Sequence, residues 1–145
     1  MRNRIKYGAV LVVACGVSFG AGLLAQSAMD SPMYRAQSGS MLKILFDGPT
    51  MGVDVDVAEL TFPPGTDSGD HKHGVSEIFY VLEGELEHIV NGRSYPLKAG
   101  MLGFVKPPDA VRHKTAAGGT PTRTLVIWSP GGEAARLASR WEKVE

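Results

Sequence analysis

Cysteine is almost missing from this chain. Its one thiol, Cys15, lies inside an N-terminal apolar run. A product without that run forms no disulfide, uses no cysteine nucleophile and builds no cysteine-ligated zinc site. An excess of either charge is missing too: 15 Lys+Arg stand against 15 Asp+Glu. No basic stripe or clustered Lys/Arg face appears, which argues against a nucleic-acid partner. There is no internal repeat, no low-complexity tract and no Ser/His/Asp nucleophilic set that stands out. Gly131-Gly132 lacks the strand–loop–helix context and following Lys of a phosphate cradle, so it reads as a turn.

The 145 residues give room for one domain, and 18 Gly with 9 Pro imply many turns. The charge is unevenly spread. Residues 1–27 hold Arg2, Arg4 and Lys6 and no acid, leaving 12 basic residues against 15 acidic beyond them. That positive start, the uncharged apolar stretch from Tyr7 to Ala25 and the small residues after it have the layout of an export signal. Cleavage near Ala25-Gln26-Ser27 would leave small side chains at the key positions. The stretch of 19 uncharged residues is also long enough to span. At ~1.5 Å per residue it reaches roughly 28 Å, close to the ~30 Å hydrocarbon core. A retained anchor over residues 7–25 is therefore the rival, and both readings put the rest of the chain outside the cytoplasm, periplasmic or extracellular. Val12-Val13-Ala14-Cys15 has a faint lipobox look, but Gly16 to Leu24 stays apolar where a polar tether is expected. The expected organisation is a signal or anchor over 1–28, a linker over 29–40 and a folded domain over 41–145.

Short period-two runs fill that domain. Strands are expected within 41–48, where a short apolar run is ended by Asp-Gly, and over 53–62, 78–83, 85–90, 93–97, 101–105, 112–116 and 122–128. Val53, Val55 and Val57 alternate with Asp54, Asp56 and Ala58, and Asn91-Gly92 is a hairpin signal because both residues tolerate positive φ. The tail, 133–144, has helix-forming residues, with Leu137 and Trp141 four apart on one face. The pattern predicts an all-β sandwich or barrel with a short C-terminal helix.

The chemistry concentrates in Gly65-TDSGD-His71-K-His73-GVS-Glu77-IFYVLE-Gly84, with His113 some forty residues later. Residues 71, 73, 75 and 77 share one parity, so a strand running straight through Gly74 would present three donors on one face. Three imidazoles and a carboxylate suit a borderline divalent metal. The competing reading is a solvated loop, disfavoured by the run IFYVL that follows Glu77 directly. By the same parity Phe79 and Val81 face inward with Glu77. Ile78, Tyr80 and Leu82 form an opposite face too apolar to stay in water. Lys72 should point away from the metal. Met101, Phe104 and Trp128 are weaker pocket-lining candidates. His88 shares parity with Leu86 and Val90 and is a general base, a substrate contact or a structural histidine. Lys106 and Arg112 are solvent-facing charges or orient an anionic substrate.

The first motif resembles that of the cupin superfamily, G-x5-H-x-H-x3-E-x6-G: Gly65, His71, His73, Glu77 and Gly84 occupy every fixed position. The second, G-x5-P-x-G-x2-H-x3-N, is approached by Gly100, Pro107 or Pro108 and His113, with Asp109 where a Gly stands and Ala117 in place of the Asn. The resemblance covers roughly Met41 to Trp128. It implies a jelly-roll barrel (a double-stranded β-helix) over 41–145 with one metal inside. The four ligands would be His71, His73, Glu77 and His113, and the ion iron, manganese, nickel, copper or zinc. The family's activities include dioxygenases, isomerases, decarboxylases and oxalate-degrading enzymes, beside non-catalytic binding members, and small single-motif-pair members often dimerise. Two functions follow as expectations: an exported, oxygenase-like metalloenzyme acting on a small organic molecule, or a non-catalytic module binding a small ligand or metal. A structural barrel with an empty site is the third and weaker option. No catalytic residue beyond the ligands is assigned.

Overall fold

The computed structural model describes residues 31–144. The expected signal or anchor lies outside them. Among the described residues no helix is long and apolar enough to cross a membrane.

Ten strands and one α-helix follow in order: β1 (Met33–Arg35), β2 (Met41–Asp47), β3 (Asp56–Phe62), β4 (Ser76–Glu83), β5 (Glu85–Val90), β6 (Arg93–Lys98), β7 (Leu102–Val105), β8 (Val111–Lys114), β9 (Thr122–Ser129), α1 (Glu133–Ala138) and β10 (Glu142–Val144). They form a seven-stranded sheet, β10-β1-β2-β3-β9-β4-β7, and a three-stranded sheet, β6-β5-β8. Isolated bridges from Asp67 to Lys114 and from His71 to Val111 add the 67–71 segment to the free side of β8. Every named strand pairing is antiparallel. This is the all-β jelly-roll barrel that the strand pattern and the family resemblance anticipate.

Alternation decides which side chains enter the barrel. On β9, Thr122, Thr124, Val126 and Trp128 are buried; on β4, Glu77, Phe79 and Val81 are. Leu86 and Leu97 of the small sheet join Leu42, Phe62, Phe79 and Trp128 in one core. The hairpin between β5 and β6 turns at Asn91 (φ 50°) and Gly92 (φ 80°), the positive angles expected of Asn-Gly.

Four expectations need correction. First, 29–40 is not all linker, because β1 lies within it and pairs with both β2 and β10. A strand this short carries no periodicity, and its backbone pairing holds it in place. Second, the strand expected from Val53 begins at Asp56, and its buried parity is Asp56, Ala58, Leu60 and Phe62 rather than that of the valines. Asp56 is 1 % exposed because its carboxylate accepts hydrogen bonds from the backbone N–H of Gly48 (3.2 Å), Gly132 (2.7 Å) and Ala134 (3.0 Å). A fully hydrogen-bonded carboxylate is tolerated at an inward position where an unpaired one is not. Third, the tail is helical only over Glu133–Ala138; Trp141 lies beyond the helix end, and β10 follows at once. Pairing with β1 overrides the helix propensity of 142–144. Leu137 and Trp141 still pack against the core, from a helix and a turn rather than from one helical face. The fourth correction concerns the site itself.

Candidate functional site

The segment carrying His71, His73 and Glu77 is not one straight strand. His71 bridges to Val111 beside the small sheet, whereas Glu77 pairs with Trp128 and Val105 in the large sheet. Residues 72–75 carry the chain across from one sheet to the other. A single extended strand cannot serve both sheets, so the parity argument fails through Gly74. The donors meet because the crossing lies at the barrel mouth. Lys72 is corrected with it: instead of pointing away, it lines the same cavity as the histidines.

The four candidate ligands do converge. The rings of His71 and His73 lie 4.9 Å apart between centroids, and those of His71 and His113 5.5 Å. His73 Nε2 lies 3.3 Å from Glu77 Oε2. Glu77, 1 % exposed, accepts a hydrogen bond at Oε1 from the Trp128 indole (2.9 Å). His73 Nδ1 sits 2.7 Å from Glu133 Oε1 on α1, and Arg136 in turn donates through Nε to Glu133 Oε2 at 2.7 Å. His71 Nδ1 lies 3.1 Å from the Gly69 carbonyl, which can only accept, an arrangement that favours the tautomer with its proton on Nδ1.

Among the described residues no three His, Cys, Asp or Glu side chains form a ready-made ion cage. What the set offers is orphaned donors. His73 Nε2, Glu77 Oε2 and His113 Nε2 are buried without a hydrogen-bond partner among the described residues, since the 3.3 Å contact brings His73 and Glu77 to ion-pair range only. Buried polar atoms left unpaired are costly, and several in neighbouring side chains call for a ligand. Imidazole nitrogens and a carboxylate oxygen fit a borderline divalent ion.

Electrostatics sharpens the picture for the metal-free protein. Burial opposes charge on His73, but the Glu133 hydrogen bond and the adjacent carboxylate of Glu77 outweigh it and raise its pKa to about 9. Burial pushes His113 down to about 3, helped by neighbouring His88, His71 and His73 and opposed by Glu77. Burial raises Glu77, yet the close His73 ring, the nearby His113 and the Trp128 hydrogen bond hold it below the usual carboxylate range. Burial also raises Glu133, and Arg136 and His73 overcome this to bring it to about 2.

The remaining candidates separate cleanly. His88 is buried and stacks on His113 at 5.4 Å, with Nε2 3.4 Å from the Phe104 carbonyl. Phe79 packs edge-on against both rings. Trp128 lines the cavity, whereas Met101 and Phe104 are exposed and do not. Arg112 pairs with Asp67 (Nε to Oδ1 2.7 Å) and Lys106 is exposed. The donors form the floor of a cavity of about 410 Å³ whose other wall comes from the tail, through Arg136, Leu137, Arg140 and Trp141. Sequence reasoning missed Glu133 and Arg140. Glu133 stands 60 positions from His73, and nothing local marks it as a histidine partner.

Comparison with known proteins agrees with this geometry. The family model described as "Cupin domain" matches residues 58–128. An oxalate-binding protein of Thermotoga maritima is 46% identical over 48 residues, which is 32% of this chain and 40% of that protein, so the chain spans well under half of that relative's length. Among solved structures, an RmlC-like cupin from Shewanella frigidimarina superposes with a TM-score of 0.62 at 24% identity, covering 72% of this chain and 88% of that one. A predicted oxalate decarboxylase of Thermotoga maritima gives 0.57 at 27% identity, with 69% and 92% covered. The polyketide cyclase RemF of Streptomyces resistomycificus gives 0.60 at 22% identity, with 70% and 74% covered.

Proposed function

Since the chain belongs to the cupin family, we propose that it holds one divalent transition metal on His71, His73, Glu77 and His113 and acts on a small organic molecule in the cavity above. The observation that carries this reading is the set of three orphaned donor atoms, His73 Nε2, Glu77 Oε2 and His113 Nε2, buried at the floor of that cavity. A bound ion would supply Lewis acidity, a lowered pKa for coordinated water and, if iron or copper, the redox capacity of an oxygenase-like reaction. The chain's own residues prepare the site. Glu133 holds the Nδ1–H of His73 and so presents Nε2 inward; Trp128 fixes one oxygen of Glu77 and leaves the other free. Phe62 and Phe79 pack edge-on against His113 and exclude water from that side.

A second reading is a non-catalytic module. It is favoured by the state of the nearby carboxylates: Asp67, which lines the cavity, is held by Arg112 and Lys114, and Glu133, which contacts His73 Nδ1, is held by Arg136 and His73, which leaves neither free as a general base. The oxalate in the name of the Thermotoga relative makes small carboxylates the first ligands to try.

The proposal extends to two further points. The layout of residues 1–28 supports export to the periplasm or beyond, with or without a retained anchor. A homodimer is supported by the outer face of the large sheet, where Ile78 sits opposite Phe104 and Tyr80 opposite Leu102, three of them exposed.

The test is the full chain purified without chelator. We expect near-stoichiometric metal by elemental analysis, lost in His71→Ala and His113→Ala, and oxygen uptake with phenolic or oxo-acid substrates. Metal content unchanged in both variants would sink the site. Full metal and ligand binding with no turnover would select the non-catalytic module.

A further inference from the structure

The cavity is far larger than the oxalate named for the relative requires. At about 410 Å³ it falls within the ~300–1,000 Å³ range of pockets that enclose ligands of drug-like size. Its walls are of two kinds. Leu60, Phe62, Leu137 and Trp141 supply apolar surface, while Lys72 and Arg140 are exposed at its rim above the buried donors.

The charges around it do not cancel. The acids that line it are Glu77, beside the Trp128 indole and the His73 ring, and Asp67, paired with Arg112 and Lys114. Every acid lining the cavity therefore has a partner. Among the described residues Lys72 and Arg140 have no ion-pair partner, so the rim carries two uncompensated cations over an apolar wall. A guanidinium and an ammonium lining the same cavity as an indole and a leucine fit a carboxylate attached to a flat, apolar body.

We infer that the ligand of this site is an amphiphilic carboxylate, an aryl- or alkyl-substituted acid, with its anionic group at Arg140 and Lys72 and its apolar body against Phe62, Leu137 and Trp141. This rests on the proposed function for the place of binding but not on the metal for affinity. The tail 133–144 sets the specificity, since it provides Leu137, Arg140 and Trp141.

Trp141 gives the readout, because Trp128 and Trp141 are the two tryptophans of the chain. Full-length protein, metal-loaded or chelator-treated, is titrated with 3-phenylpropanoate, with its neutral counterpart 3-phenylpropanol and with oxalate. Tryptophan fluorescence and calorimetry follow the binding. We expect 3-phenylpropanoate to bind at least tenfold more tightly than either of the others in both preparations. Arg140→Gln and, separately, Lys72→Ala should each weaken it about five- to tenfold and leave 3-phenylpropanol unchanged. Equal affinity for acid and alcohol, oxalate as the tightest ligand, or both variants binding as the parent does would overturn the inference. If 3-phenylpropanoate binds as expected to a protein that takes up no metal, only the metal reading fails.

Discussion

Glu133 has the clearest consequence of any single residue. It belongs to α1, yet its carboxylate fixes the imidazole of His73 at 2.7 Å. Outer carboxylates of this kind raise the basicity of a ligating histidine and lock its ring. Glu133→Ala should lower metal affinity by roughly 10–100-fold, while Glu133→Gln, which retains an acceptor, should lose less. Competition with a chromophoric chelator measures both, and equal affinity in all three proteins would refute the role. The four candidate ligands could be picked out in the sequence, because the cupin-like first motif places His71, His73 and Glu77 by spacing and the looser second motif places His113. The partners Glu133 and Trp128 were not, since contacts across 60 and 51 positions leave no local trace.

At the scale of elements, α1 hangs on one buried side chain. Asp56 accepts from Gly132 and Ala134 at the start of the helix and from Gly48 in the loop after β2. Asp56→Ala would strand these donors and cost roughly 3–5 kcal/mol, at ~1–3 kcal/mol for each buried group left unsatisfied. Urea unfolding gives that number. Metal affinity should fall in the same variant, because the helix carries Glu133; a drop in stability with affinity intact would disconnect the two. The alternation of valine and aspartate before Phe62 misled because pattern alone assigns an aspartate to water, and only the three N–H groups explain its burial. The hairpin at Asn91-Gly92 was readable because its turn chemistry is local. The outer ladder of β4 and β7 makes a separate prediction. Phe104 is 49% exposed opposite Ile78, so Phe104→Lys should turn a dimer into a monomer in sedimentation experiments without changing the circular dichroism spectrum. A parent chain that is already monomeric would dispose of the dimer.

For the molecule as a whole, the buried histidines set how stability follows pH. In chelator-treated protein the folded pKa of His113 lies near 3, below its ordinary 6.5. The unfolded chain therefore takes up that proton first, and stability falls as pH drops from about 6.5 towards 3. Glu133, lowered from 4.5 to about 2, adds a further loss below pH 4.5. His73 works in the opposite sense. Its folded pKa of about 9 contributes stability that is complete below 6.5 and disappears as pH rises towards 9. The metal-free protein should be most stable near pH 6.5 and weaken by on the order of 3 kcal/mol on each side. Denaturation midpoints across pH 4–9 check this, and a flat profile would contradict it. Added zinc should raise the midpoint most on the alkaline side, towards pH 9, where His73 gives up its proton readily. The jelly roll itself could be read from strand spacing and turns. The place where the chain changes sheets could not, because residues 72–75 obey neither a strand nor a helix period.

The pairing of β1 with β10 has a bearing on biogenesis. A ribosome delivers β1 early, and it lacks one of its two neighbours until Val144 has emerged. The wall that carries Leu137, Arg140 and Trp141 is clasped into place by that last strand, so the chamber closes only when translation has passed it. Chains interrupted just before β10 would carry all four candidate ligands and still have no finished chamber.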